Sequence, residues 1–372
     1  MTKKEKVVVA LSGGVDSSMA AVLLKEDGYD VIGISMHLWC EENSGLINQR
    51  RPCCSMASIR DAEQICASLN IPFYTLNLKA EFQQYVVNYF RHEYQRGRTP
   101  NPCIACNQHI KFHFLLNRAL ALGANYLATG HYARIAYRQH SYHLLKAVAP
   151  NKDQSYFLYT LGQEQLEHLL FPVGNYSKTE IRRLARDKGL FVADKGDSQD
   201  LCFITDNYRR FLNRFQPPIP GTVVNTEGKI LGEHLGLSHY TIGQKYTSAT
   251  SLNDRLYVLR IEPDLNQIIV GREEELYSRK LVAKVVNWVS GKALAEPTTV
   301  TAKIRYKSPE APADIFPDKD WVEVFFGQPQ RAITPGQAIV FYNSEEVLGG
   351  GIIAESEITS GRRQIHASAA KF

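Results

Sequence analysis

Three groups of residues in this 372-residue chain have types and spacing suited to chemistry. The first is Val9-Ala10-Leu11-Ser12-Gly13-Gly14-Val15-Asp16-Ser17-Ser18, a polar turn between a valine run and an apolar, helix-like stretch. A strand ending in such a turn before a helix N-terminus offers backbone N–H groups and the helix dipole to an anion, so it reads as a phosphate site. Gly13 and Gly14 permit close approach, and Ser12, Ser17 and Ser18 add hydroxyl donors. No lysine follows the glycines, so this is not the GxxxxGK(S/T) loop suited to γ-phosphoryl transfer.

The second group is Thr99-Pro-Asn-Pro-Cys103-Ile-Ala-Cys106. Its prolines set a rigid entry and place Cys106 near the start of a helix containing Lys111 to Leu122. A helix N-terminus with Arg98, His109 and Lys111 nearby favours a nucleophilic thiolate. A zinc half-site is the alternative, but no second CxxC or His pair stands at matching spacing. The third is Cys202, in Gly196-Asp-Ser-Gln-Asp-Leu-Cys-Phe-Ile204. Alone it reads as a buried structural thiol. Beside a phosphate loop and an activated cysteine it reads as half of a pair, one thiol carrying a persulfide sulfur and the other resolving it as a disulfide. Of the other cysteines, Cys66 stands at helical spacing with Ile59, Ala62 and Leu69 and reads as core, while Cys40, Cys53 and Cys54 lie near a polar loop.

These groups need a scaffold, and the first two hundred residues alternate strand-like and helix-like patterns. Val7–Leu11, Val31–Ile34, Pro72–Leu76 and Tyr126–Thr129 read as strands. Met19–Leu24, Ser58–Leu69, Phe82–Phe90 and Phe112–Leu122 read as helices, with Gly97 ending the third of these patterns. Such repeats imply a parallel sheet with helices on both faces, and ligands bind outside the carboxyl ends of its strands. Ser12–Ser18 and Thr129-Gly130-His131 both fall there. Ser177-Lys-Thr-Glu180 is a capping box for a helix over Ile181–Lys188, closed by Gly189. Gln216-Pro-Pro-Ile-Pro-Gly221 reads as a linker, and short β-like runs follow at barrel-like spacing: Thr222–Val224, Tyr257–Arg260, Gln267–Val270, Val282–Val289, Val300–Tyr306, Trp321–Phe326 and Ala338–Tyr342. The expected architecture is an α/β domain over 1–215, a small β-rich domain over 216–280 and a β-barrel over 281–372.

Composition narrows the class. Apolar residues are 44% and charged residues 22%, as in globular proteins, and no apolar run is long enough to span a bilayer. No signal-peptide core follows the charged N-terminus. Seven cysteines, odd in number, do not resemble a secreted disulfide framework. A cytoplasmic location is therefore expected. The net charge of +5 permits nucleic-acid binding without demanding it. Residues 91–118 hold five Lys or Arg, three His and one acid, Glu93, which suits either a solvated helix face or a phosphate contact.

Ser-Gly-Gly-Val-Asp-Ser resembles the loop of the ATP pyrophosphatase superfamily, which implies cleavage between α- and β-phosphates, AMP transfer to an acceptor oxygen, and Asp16 near Mg²⁺ or the phosphates. Over nearly its whole length the chain resembles the tRNA-specific 2-thiouridylases, with matching stretches ALSGGVDSS, GRTPNPCIACNQHIKF, ATGHYAR, NKDQSYFLYTL, FPVGNYSK, SQDLCFI, KIRYKS, TPGQAIVFYN and LGGGII. The resemblance implies an adenine nucleotide alpha hydrolase-like N-terminal domain that binds ATP through Ala10, Leu11, Ser12, Gly13, Gly14, Val15, Asp16 and Ser17, with Met36 and Gly130 on the adenine side. It implies Cys106 as nucleophile, Cys202 as persulfide carrier, and tRNA contacts at His131, Lys152, Asp153, Gln154, Arg305, Tyr306 and Gln337. The implied partners are the tRNA substrate and a persulfide donor, either a cysteine desulfurase or a sulfur-relay protein. Two positions depart from the family: Cys103 stands where an Asp is common, and Gly243–Thr250 replaces an Arg followed by a glycine-rich turn. With Cys103 a thiol, an iron–sulfur cluster on Cys103, Cys106 and Cys202 is the alternative to the persulfide route. Another tRNA-modifying ATP pyrophosphatase is the competing enzyme class. A non-catalytic RNA-binding protein would need neither cysteine motif.

Overall fold

A valine run forms β1 (Lys6–Ala10), and its last four residues are buried. The computed structural model describes residues 4–39, 56–196, 201–204, 207–247 and 255–357. After β1 come β2 (Asp30–His37), β3 (Phe73–Asn77) and β4 (Tyr126–Thr129). A hairpin of β5 (Ala133–Arg138) and β6 (Ser141–Lys146) follows, then the short β7 (Leu169–Leu170). Strands β3-β2-β1-β4-β7 form one sheet whose neighbouring strands all pair in parallel. β1 and β4 are adjacent, with Ala10 opposite Thr129, so the two candidate ligand turns leave the sheet side by side.

The helices that matter most to the site start where side chains or glycines release the backbone. Gly14 is the N-cap of the helix Val15–Glu26, so that helix begins inside the polar turn, four residues before the expected Met19. Ser177 and Glu180 form the expected capping box: Ser177 Oγ accepts from Glu180 N at 3.2 Å, and Glu180 Oε2 accepts from Ser177 N at 2.7 Å. Those bonds hold the Glu180 carboxyl below its usual range. Pro102–Ala105, Cys106–Leu115 and Leu116–Ala121 run on as one helix, and the middle segment is wound with i→i+5 spacing.

The middle of the chain is a mixed sheet of β8 (Gly221–Asn225), β9 (Ile230–His234), β10 (Lys245–Tyr246), β11 (Leu256–Glu262) and β12 (Gln267–Gly271), in order β10-β11-β12-β8-β9. Beyond it lie β13 (Tyr277–Trp288), β14 (Thr298–Lys303), β15 (Ala311–Pro317), β16 (Trp321–Arg331), β17 (Ala338–Asn343) and β18 (Glu346–Ser356). They close as an antiparallel ring, β13-β16-β15-β14-β17-β18, through the β13–β18 pairing. The α/β domain, small β-rich domain and terminal barrel expected from the sequence are all present. β13 spans position 280, the boundary expected from composition.

A strand pairing and a shared core tie the barrel to the parallel-sheet domain. The β5–β6 hairpin leaves the parallel sheet and joins the barrel sheet, with Leu145 of β6 paired to Glu346 of β18. One apolar core is shared: Val8 and Ala10 of β1, Ile104, Phe112 and Leu116 of the cysteine helix, and Val340, Tyr342 and Val347 of the barrel belong to the same cluster. Burial of this continuous surface fixes the barrel against the helix that carries Cys106.

Candidate active site

The phosphate loop is braced by its own serines. Ser17 Oγ and Ser18 Oγ donate to Gly14 O at 3.1 and 2.9 Å, and Ser12 N donates to Ser17 Oγ at 3.2 Å. Gly13 sits at φ +67°, and a Cβ there would lie 2.3 Å from the Ser58 carbonyl oxygen. Gly130 is equally confined: a Cβ would stand 2.6 Å from Ser17 N and 2.8 Å from Asp16 C. Both positions need glycine so that backbone can pack on backbone, and the β4 turn thereby presses on the first helical turn after β1.

Asp16 does not wait unpaired for a metal ion. Its carboxylate accepts from Lys178 Nζ at 2.7 and 2.8 Å and from Tyr132 Oη at 2.7 Å. The pairing gives the acid partners within the protein. Lys195 Nζ donates to the Gly13 carbonyl and to Asp61 Oδ2, each at 2.6 Å. The loop therefore has lysines after all. They arrive from more than 160 positions downstream, where no local motif could have revealed them. The capping box at Ser177 was the available signal, since it fixes the helix whose first residue is Lys178.

Asn101 caps the cysteine helix, its Oδ1 accepting from Cys103 N at 3.2 Å and Ile104 N at 3.4 Å, with Pro102 at the first helical position. Cys103 is thus the thiol at the helix N-terminus, and Cys106 lies a turn further in, because Asn101 starts the helix earlier than the apolar pattern suggested. Cys106 is buried and Cys103 half-buried. Cys106 and Cys202 meet in one apolar cluster with Met36, Phe82, Phe90, Phe203 and Phe211. Both are thiols in this structure. Cys66 is core, as its spacing predicts, and burial pushes its thiol up to about 12. Cys40, Cys53, Cys54 and Ser198–Asp200 lie outside the described residues.

Among the described residues no three His, Cys, Asp or Glu side chains converge as a metal site would need. No iron–sulfur site on Cys103, Cys106 and Cys202 is evident among the described residues.

Several side chains expected to touch tRNA make bonds within the protein. Asp153 is buried and accepts from Ala147 N, Ser155 N and Ser155 Oγ. Gln154 Oε1 accepts from Tyr132 N at 2.9 Å. Gln337 Nε2 donates to the Thr99 carbonyl at 2.8 Å, while Thr99 N donates to Pro335 O at 2.9 Å, so the barrel clamps the segment that leads into the cysteine helix. Arg305 donates to the Arg331 and Ala332 carbonyls, and burial lowers its guanidinium from the ordinary value. The Tyr306 ring packs 4.4 Å from Phe157. His131 is buried behind the loop, its Nδ1 2.7 Å from Thr129 Oγ1. Lys152 is half-buried.

Comparison with known proteins agrees with this layout. Residues 5–206 match the tRNA methyl transferase HUP domain, residues 209–272 the tRNA methyl transferase PRC-barrel domain, and residues 278–353 the aminomethyltransferase β-barrel domain. That order of modules, with the glycine-rich loop at the head of the first, makes this an ATP-using HUP-domain enzyme of the pyrophosphatase type. The tRNA-specific 2-thiouridylase MnmA of Acetivibrio thermocellus is 48% identical over 356 residues, covering 94% of this chain and 99% of its own. That of Halothermothrix orenii is 49% identical over 357 residues, covering 95% and 99%. The chain belongs to the tRNA-specific 2-thiouridylase family.

Proposed function

We propose that this enzyme replaces the C2 oxygen of the wobble uridine of tRNA with sulfur, using ATP. The observation that carries the reading is the meeting of Cys106 and Cys202 in one cluster with Met36, at the end of the strand beside β1. A methyl transferase, which the name of the HUP-domain family suggests, has no need of two thiols gathered in one cluster.

The uridine oxygen attacks the α-phosphorus of ATP, and the bond to pyrophosphate breaks. The loop N–H groups and the first turn of the Val15–Glu26 helix hold the departing phosphates. Mg²⁺ bound with ATP would supply charge neutralisation at the phosphates, and Asp16, in the first turn of the loop helix, is an oxygen donor of the kind it accepts. The terminal sulfur of a Cys202 persulfide attacks C2, the C2–O bond breaks, and AMP leaves with the former uridine oxygen. Cys106 attacks the Cys202 sulfur, which leaves the thiocarbonyl on the base and a Cys106–Cys202 disulfide for an external thiol to reduce. If Cys106 acts first, the sulfur is released as hydrosulfide and the same disulfide results. Cys103 stands at the capped start of the helix as a proton donor or acceptor in place of the usual acid. A persulfide-bearing protein reloads Cys202. Anticodon-loop bases are accessible to this chemistry because they can be splayed from the stack.

No described helix is long and apolar enough to cross a membrane. We assign the enzyme to the cytoplasm, where its tRNA substrate resides, and place its domains at 1–215, 216–276 and 277–372, which keeps β13 whole.

Iron-free enzyme, given tRNA transcript, Mg²⁺, ATP and a persulfide donor under anaerobic conditions, should form 2-thiouridine with equal amounts of AMP and pyrophosphate. Mass spectrometry of the digested tRNA reads the product. Activity that appears only after iron is restored would refute the persulfide route.

A further inference from the structure

Three lysines gather around the loop, and they are not equivalent. Lys178 is paired with Asp16, and Lys195 with Asp61. Lys111 is half-buried, and among the described residues no carboxylate pairs with it. Its ammonium instead lies 3.5 Å from Nε2 of His131. That imidazole is buried, and burial, followed by the Lys111 charge, holds it well below its ordinary range. A neutral imidazole accepts a hydrogen bond from Lys111 and passes its own N–H to Thr129 Oγ1, but it cancels no charge. Among the described residues a cation so placed has no counter-ion, and an anion entering the site would supply one.

The position of Lys111 says which anion. His131 directly follows Gly130, which packs on Asp16 and Ser17 at the start of the loop helix. From the other side, Lys111 follows Cys106 by five residues within the segment wound i→i+5. In an α-helix, residues five apart project in well-separated directions. Under i→i+5 winding they face nearly the same way, one turn apart, so this segment turns Lys111 toward the side of the helix that carries Cys106. Lys111 is thus tied through His131 and the Gly130 turn to the phosphate loop and through its own helix to Cys106, and the α-phosphoryl group must lie between those two places while it joins ATP to uridine.

We propose that Lys111 is a catalytic residue whose ammonium binds the α-phosphoryl oxygens, both as that group passes to the uridine oxygen and as it departs in AMP. Pyrophosphate leaves in the first step and AMP in the second, and in each the charge on the α-phosphoryl oxygens is met by Lys111. His131 and Thr129 position the ammonium without neutralising it. The role rests on the reaction set out above.

The test compares wild type, K111Q and K111R in single-turnover assays of pyrophosphate release and of 2-thiouridine formation, with ATP varied. K111Q is expected to lose about 100-fold in kcat for pyrophosphate release, as when one charge-stabilising donor is removed, with little change in KM for ATP. K111R, which keeps the charge, recovers most of the rate. In K111Q the His131 imidazole titrates at higher pH by NMR, because a neighbouring cation is gone. A K111Q enzyme within about threefold of wild type, a loss confined to KM, or a K111R enzyme no faster than K111Q would overturn the role. Wild type that makes no 2-thiouridine in the same assay overturns the reaction itself, and that failure is visible before any variant is compared.

Discussion

Replacing Cys202 with serine is expected to reduce 2-thiouridine formation to the background seen without enzyme, while ATP-dependent tRNA binding stays at the wild-type level. Serine is close to cysteine in size, and the half-buried Cys202 packs at the margin of its cluster rather than in its centre. The fold should therefore survive, and an unchanged melting temperature checks that. What serine cannot do is hold a sulfane sulfur, because a hydroxyl forms no persulfide. Retardation of the modified tRNA on a mercury-containing gel measures the product. Normal 2-thiouridine in C202S would remove Cys202 from the sulfur path, whatever its place beside Cys106.

The second large effect is expected at Gly130. An alanine methyl there would lie 2.6 Å from Ser17 N and 2.8 Å from Asp16 C, inside the closest approach real Cβ atoms make to backbone. Neither atom is the end of a flexible side chain, so the loop helix or the β4 turn must move. Either movement carries the phosphate-binding N–H groups off their target, and displacements near 1 Å at such sites cost about 100-fold in rate. G130A should show a loss of that size in kcat/KM for ATP, measured by pyrophosphate release. Its backbone is not at positive φ, so the penalty is steric rather than conformational. Wild-type kinetics in G130A would mean that the contact between the two turns does not hold the loop.

Features of the site with a local cause were readable from the residues. The valine run of β1, the Ser-Gly-Gly turn and the Ser177–Glu180 capping box depend on neighbours a few positions apart, and the structure has each of them. Features with a distant cause were not. Lys178 and Lys195 reach the loop through tertiary packing, and nothing near Gly14 announces them. β15 was hidden by Pro312 and Pro317, residues that argue against a central strand. β18 was hidden by Gly349-Gly350-Gly351, which carries no strand-forming side chains. The structure explains those glycines: a Cβ at Gly350 would meet Ile339 O at 2.4 Å and the Tyr159 ring at 2.8 Å, where the barrel closes on the shared core. The β5–β6 hairpin could not be assigned to the barrel sheet from sequence, because its partner β18 lies about two hundred residues away.

The positions expected to contact tRNA carry a related lesson. Gln337 holds the Thr99-Pro100 segment that leads into the cysteine helix, and Asp153 holds a turn, so both make bonds within the protein. Motif matching singles such residues out but does not say whether they touch substrate or the residues that do.

The account's central claim is that ATP activates the uridine oxygen for removal, so the fate of that oxygen tests it most directly. A tRNA substrate carrying oxygen-18 at C2 of the target uridine should, after one turnover with enzyme, Mg²⁺, ATP and a persulfide donor, deliver the label to the phosphate of AMP. Label found in pyrophosphate or in water, with unlabelled AMP, would contradict adenylation of the base.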